Sequence, residues 1–156
     1  MTRIPAFFIK TAATFLGLGY LPFMPGTFAS IAGFLIFILI GANSTAYLLV
    51  AAAILAVGFF SCGRAEEMFG RKDSSRIVID EVAGMLVALI CIPYDLKIAV
   101  LALVLFRILD IVKPFPANGL QRLRGSLGVM ADDIVAGLYT NFILQLVLRF
   151  AFLRRS

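Results

Sequence analysis

The stretch TAATFLGLGYLPFMPGTFASIAGFLIFILIGANSTAYLLVAAAILAVGFFSCG, residues 11–63, carries no formal charge from Thr11 to Gly63. That is far more than the roughly 20 apolar residues one membrane crossing needs, and it suits a hairpin of two. Asn43, Ser44 and Thr45 supply the break between the arms. The whole chain agrees: 62% of its 156 residues are hydrophobic and 15% charged, against averages of about 45–50% and 25% in soluble domains. Lipid offers no hydrogen-bond partners, so helices that satisfy their own backbone are the structures to expect. At this length, residues 1–156 are read as one domain. The expected fold is all-α, a polytopic membrane helical bundle of about four to five embedded helices.

Ahead of the hairpin, Ile4 to Leu16 is apolar with one lysine and reads as an interfacial helix. Gly17, Gly19, Pro22, Pro25 and Gly26 then forbid continuous helix. Thr27 follows as the expected N-cap of a helix from Phe28 to Ile40, and Ala46 to Gly63 returns. The charged segment Arg64 to Arg76 reads as a surface loop with room for some helix. A third span is expected from about Ile77 to Ile92 and a fourth from Leu96 until Pro114 stops it; a fifth begins near Asp132 and ends by Arg149. Alternating these spans puts both basic loops, around Lys72 and Arg122, on one side with the Gly/Pro loop. The positive-inside rule makes that side cytoplasmic. Arg149, Arg154 and Arg155 then fall on the far side, against the rule.

Five carboxylates lie in or beside the apolar runs: Asp80, Glu81, Asp110, Asp132 and Asp133. An uncompensated acid at the bilayer centre costs roughly 2.5–3.5 kcal/mol on insertion scales, so such acids face a bundle interior, a counter-ion or a metal. Under the alternating topology all five approach one membrane face. Each also has a structural alternative. Asp80 and Glu81 suit the positive end of a helix dipole, while Gly84, four residues on, leaves open space beside the first of them. Asp132 and Asp133 stand where a helix cap belongs, although a cap accounts for one better than both. Asp110 is flanked by Arg107 and Lys113 at three-residue spacing, which makes either a self-neutralising triad or an acid on a cation with two bases on phosphate. Hard oxygen ligands without an imidazole or thiolate cluster suit Mg2+. The start of the Phe28 helix could meet an anion, with Thr27 or Ser30 donating.

Several classes are excluded. The chain has no histidine, which removes phosphohistidine chemistry, and the sixth residue after Cys62 is Met68 rather than the arginine of a thiol phosphatase. Cys62 and Cys91 lack zinc-site spacing and read as buried thiols. The glycines before Thr27 follow no strand and are interrupted by prolines, so a dinucleotide fingerprint is rejected, and no P-loop exists. A net charge of +5, placed in the loops, fits anionic lipid headgroups rather than nucleic acid.

Four blocks, Gly17-Leu-Gly-Tyr-Leu-Pro-Phe-Met-Pro-Gly-Thr27, Ile77-Val-Ile-Asp-Glu-Val82, Phe106-Arg-Ile-Leu-Asp-Ile-Val-Lys-Pro-Phe-Pro116 and Gly128-Val-Met-Ala-Asp-Asp-Ile-Val-Ala-Gly137, together resemble the phosphatidylglycerophosphatase A family. Departures are mild: Phe115 stands where tryptophan is expected, Leu109 where phenylalanine is frequent, and Ser126 interrupts a glycine pair. The resemblance implies a magnesium-dependent enzyme of the bacterial inner membrane, its site near the cytoplasmic face. Such an enzyme converts phosphatidylglycerophosphate to phosphatidylglycerol and phosphate, and the family's acidic positions match Asp80, Glu81, Asp110, Asp132 and Asp133. In the expected mechanism carboxylates hold Mg2+ while Arg107 or Lys113 offsets charge on the phosphoryl oxygens. The rival reading is a small cation or proton transporter using the same acids.

Overall fold

The computed structural model describes residues 5–71, 74–115, 117–120 and 123–153. Lys72, Pro116, Arg122, Arg154 and Arg155 lie outside them. All regular structure among the described residues is helical: α1 (Ala6–Ala13), a 3-10 turn at Leu18–Tyr20, α2 (Pro25–Ile40), α3 (Ser44–Phe69), α4 (Ile79–Ala88), α5 (Leu96–Val112), α6 (Ala117–Leu120) and α7 (Ser126–Leu153). Caps follow local chemistry. Asn43 Oδ1 accepts from Ala46 N at 3.1 Å to start α3, and Asp95 Oδ1 accepts from Lys97 N at 2.8 Å and Ile98 N at 3.1 Å to start α5. Pro114 ends α5 as expected, with Lys113 in a left-handed conformation at its C-cap.

Two helices, α3 and residues Ser126–Phe150 of α7, are long and apolar enough to cross a membrane, and α2 is apolar but only 16 residues long. The expected third span is shorter than the sequence suggests. At ten residues α4 covers about 15 Å, half a hydrocarbon layer of about 30 Å. All but Glu81 of its residues are buried, because α2, α3, α5 and α7 surround it. A short buried helix must hand its last carbonyls to other chain segments. The Tyr47 hydroxyl donates to Leu86 O at 2.6 Å, and Asn141 Nδ2 donates to Ala88 O at 3.1 Å and Ile90 O at 2.7 Å.

Other boundaries also move. α2 begins at Pro25, so Thr27 is in its first turn and is not the N-cap. α3 continues through the charged segment to Phe69, where Gly70 closes it at φ 63°. α7 begins at Ser126, nearly two turns before Asp132 and Asp133, and neither can therefore cap it. Cys62 is buried as expected, but Cys91 is exposed, because α4 ends three residues before it. α1 lies against α3 and leaves Phe7 and Phe8 exposed, as an interfacial helix would.

Gly84 does not leave open space either. A Cβ there would stand 2.6 Å from Asp133 O and 2.8 Å from the Phe106 ring, and one on Gly137 would collide with the Gly84 carbonyl. The two glycines let α4 and α7 touch backbone to backbone, as small residues do between membrane helices. Overpacking costs about 1–3 kcal/mol, so Gly84→Ala should lower the Tm of the detergent-solubilised protein. Gly119→Ala, with no atom near the new methyl, should leave it unchanged, and equal melting of the two would remove the close crossing.

Candidate metal centre and phosphate pocket

The ends of the helices sort into two groups. At one end Phe37 of α2 stacks edge-on to Tyr47 of α3 at 5.4 Å, and the Tyr94 hydroxyl donates to Ile38 O at 2.6 Å. The start of α2, the start of α4, the end of α5 and the first third of α7 meet at the other. There a pocket of about 300 Å³ is lined by Asp80, Glu81, Asp110, Lys113, Asp132 and Asp133, with Ser74, Ser75, Ile77 and Ile111 completing its walls. All five predicted acids thus converge from three helices. The serines were not expected, since nothing separates Ser74-Ser75 from an ordinary loop in the sequence.

One oxygen each of Asp80, Glu81 and Asp133 lies within 4.8 Å of the others. Asp80 Oδ1 and Glu81 Oε2 are buried with no hydrogen-bond partner. Five acids against the two bases Arg107 and Lys113 leave the cluster short of positive charge, and burying uncompensated charge is costly. A divalent cation on Asp80, Glu81 and Asp133 fits this donor set: oxygen only, crowded, and with lone pairs unmet.

The bases are each held by an acid. Arg107 Nη1 donates to Asp110 Oδ2 at 2.7 Å and to Ser30 Oγ at 3.3 Å, and Ser30 Oγ itself donates to Gly26 O at 2.9 Å. Lys113 is past the end of α5 and does not join them in a triad. Its Nζ reaches across to Asp132 Oδ2 at 2.5 Å. Burial opposes its charged form, but the hydrogen bond and charge of Asp132, with Asp133 and Asp110, outweigh it and raise its pKa. Of the residues expected on substrate, Lys113 lines the pocket, whereas Thr27, Ser30 and Arg107 stand behind its wall on the α2 side. The Thr27 hydroxyl is buried without a partner. The amide-rich start of α2 does meet an anion, and that anion is Glu81: a Cβ on Gly26 would collide with Glu81 Oε1. Cys62 is on α3 outside the pocket lining.

The family model described as Phosphatidylglycerophosphatase A matches residues 11–148. A protein of Bacteroides thetaiotaomicron named putative phosphatidylinositol-3-phosphatase is 34% identical over 154 residues, 93% of this chain and 96% of its own length. Phosphatidylglycerophosphatase A of Escherichia coli is 34% identical over 134 residues (84% and 78%), and that of Haemophilus influenzae 30% over 139 residues (86% and 85%). No solved structure matches. The matched region contains every residue that lines the pocket, and the chain belongs to the phosphatidylglycerophosphatase A family of phosphatases.

Proposed function

We propose that this chain is a magnesium-dependent lipid phosphatase of phospholipid biosynthesis, which hydrolyses the terminal phosphomonoester of phosphatidylglycerophosphate to phosphatidylglycerol and inorganic phosphate. The observation that carries this is the approach of Asp80, Glu81 and Asp133 to within 4.8 Å inside an apolar bundle of this family. Two spans are evident by length, α3 and α7. In our reading α2 and α5 are embedded beside them, making a multi-pass bundle in the bacterial inner membrane with α4 in its interior. Arg64, Arg71, Arg76 and Arg124 belong to the loops and helix ends on the pocket side, with Lys97 and Arg149 opposite. That bias supports a cytoplasmic pocket.

In this reading water attacks phosphorus from one side while the bond to the glycerol oxygen breaks on the other, and the leaving oxygen takes up a proton. Magnesium, when bound, supplies a Lewis acid that polarises the phosphate and lowers the pKa of bound water. Lys113 supplies mobile positive charge at the pocket mouth, which a phosphoryl oxygen can share with Asp132. Arg107, fixed by Ser30, orients Asp110. The apolar helices around α4 keep the charges in a low-dielectric setting where each interaction is stronger. The name of the Bacteroides relative favours a second headgroup, a phosphoinositide. Offered side by side, the two lipids should both bind through a phosphomonoester, and the higher kcat/KM identifies the substrate.

Asp80→Asn, Asp110→Asn and Asp133→Asn should each lower phosphate release by about a hundredfold or more, the scale of losing an electrostatic catalytic group, while the protein still inserts. Asp132→Asn should also slow turnover, because it releases Lys113 and is not a cap exchange. Near-normal rates for all four across a magnesium titration would make the acids structural.

EDTA should abolish activity and added magnesium restore it, whereas a Cys62→Ser, Cys91→Ser double variant should retain most of it. Charge movement in sealed vesicles without phosphate release would replace the phosphatase by a transporter.

A further inference from the structure

A second cleft opens on the α1 side of the loop that walls the carboxylate pocket. Its outer compartment, about 370 Å³, is lined by Phe7, Lys10, Thr14, Gly17 and Tyr20. Its inner compartment, about 260 Å³, runs between Phe15, just past α1, and Ala53, Ile54 and Val57 of α3, down to Ile79. Thr11 and Leu16 line both, so the two compartments adjoin along these residues. Among the described residues no carboxylate lines either part. The outer rim is instead cationic and aromatic: Lys10 Nζ is 5.6 Å from the Phe69 ring, and the Arg76 guanidinium is 5.6 Å from the same ring and 5.8 Å from that of Tyr20. A positive, aromatic mouth leading to an apolar slot between helices matches an anionic phospholipid end to end.

The wall between cleft and pocket is a few residues thick. Ser74, Ser75 and Ile77 face the carboxylates, while Arg76 and Ile79 serve the cleft. Val78 N donates to Ala13 O at 3.0 Å, which fastens this wall to the end of α1. We propose that the cleft is the lipid subsite of the enzyme: Lys10 and Arg76 hold the substrate's phosphodiester phosphate, and one acyl chain enters between α1 and α3. The inference rests on the phospholipid phosphatase reading above. It divides the two phosphates by charge, the monoester going to the carboxylate centre with its metal and the diester to the basic rim.

The test compares three substrates in detergent with magnesium: long-chain phosphatidylglycerophosphate, its deacylated headgroup glycerophosphoglycerophosphate, and glycerol 3-phosphate. Ala53→Phe, which fills the slot, should raise KM roughly tenfold for the long-chain lipid alone, with Ala53→Val a milder version if the ring disturbs folding. Arg76→Gln should raise KM roughly tenfold for both diester-containing substrates and leave glycerol 3-phosphate unchanged, as loss of one charge-assisted contact predicts. Long-chain KM values within twofold of the parent, or equal losses on all three substrates, overturn the subsite. A parent protein that releases no phosphate from the lipid removes the phosphatase reading itself and the subsite with it. A second readout does not need turnover of the fragments. The chain has no tryptophan, so Ile54→Trp places a sole fluorophore in the slot. Phosphatidylglycerophosphate with brominated chains should quench it saturably at one lipid per chain, less tightly after Arg76→Gln. Absent quenching, or equal quenching by a brominated zwitterionic phospholipid, overturns the proposal.

Discussion

Negative charge buried in an apolar bundle is the constraint around which this molecule is built. Asp80 and Glu81 sit on a ten-residue helix, α4, enclosed by four others, with Asp110, Asp132 and Asp133 brought in from α5 and α7. Taking several carboxylates out of water costs several kcal/mol each unless positive charge and hydrogen bonds meet them. The surroundings supply that compensation from every direction: Arg107 on Asp110, Lys113 on Asp132, and the start of α2 on Glu81. What remains unmet, on Asp80 and Glu81, is the oxygen set that a hard cation would complete.

α4 is short, and its acids lie in its first turn. Its carbonyl end is therefore stranded in the interior, and Tyr47 and Asn141 take up the carbonyls from neighbouring helices. Its flank meets α7 through Gly84 and Gly137 with no side chain between them, which brings the Asp133 backbone against α4. The same contact that holds the bundle together thus sets how Asp133 stands to Asp80 and Glu81. Packing and chemistry share one crossing point.

The helices divide these tasks along their length. One end of the bundle carries aromatic rings and capping hydroxyls, and the other carries the acids, the bases and the loop from Ser74 to Ile77. A lipid substrate requires such polarity, since its phosphate must reach a polar pocket while its chains remain in hydrocarbon. Large exposed apolar side chains on α3, including Leu49, Val57 and Phe60, fit a surface in contact with lipid rather than water.

Composition and motif order were sufficient for the helical class and for the set of acids. The uncharged run from Thr11 to Gly63 allows no other economical solution, and helix periodicity with alternating spans brings distant acids to one end. Asn43 and Pro114 likewise marked boundaries through chemistry local to the chain. Tertiary packing decided what local chemistry left open. The run to Ile92 is apolar enough for a span, yet enclosure by four neighbours permits a ten-residue helix with carbonyls capped from outside. Asp132 looked like a cap because nothing before it forbids a helix start, and only α7's packing against α3 and α4 carries the helix back to Ser126. Lys113 was one face of a helix by spacing, but its backbone turns left-handed past the end of α5 and gives it to Asp132, 19 residues on. Ser30 bonds a guanidinium 77 residues away, and Ser74 and Ser75 wall a pocket whose acids begin at Asp80. Such contacts depend on how helices cross, and sequence spacing carries no record of a crossing.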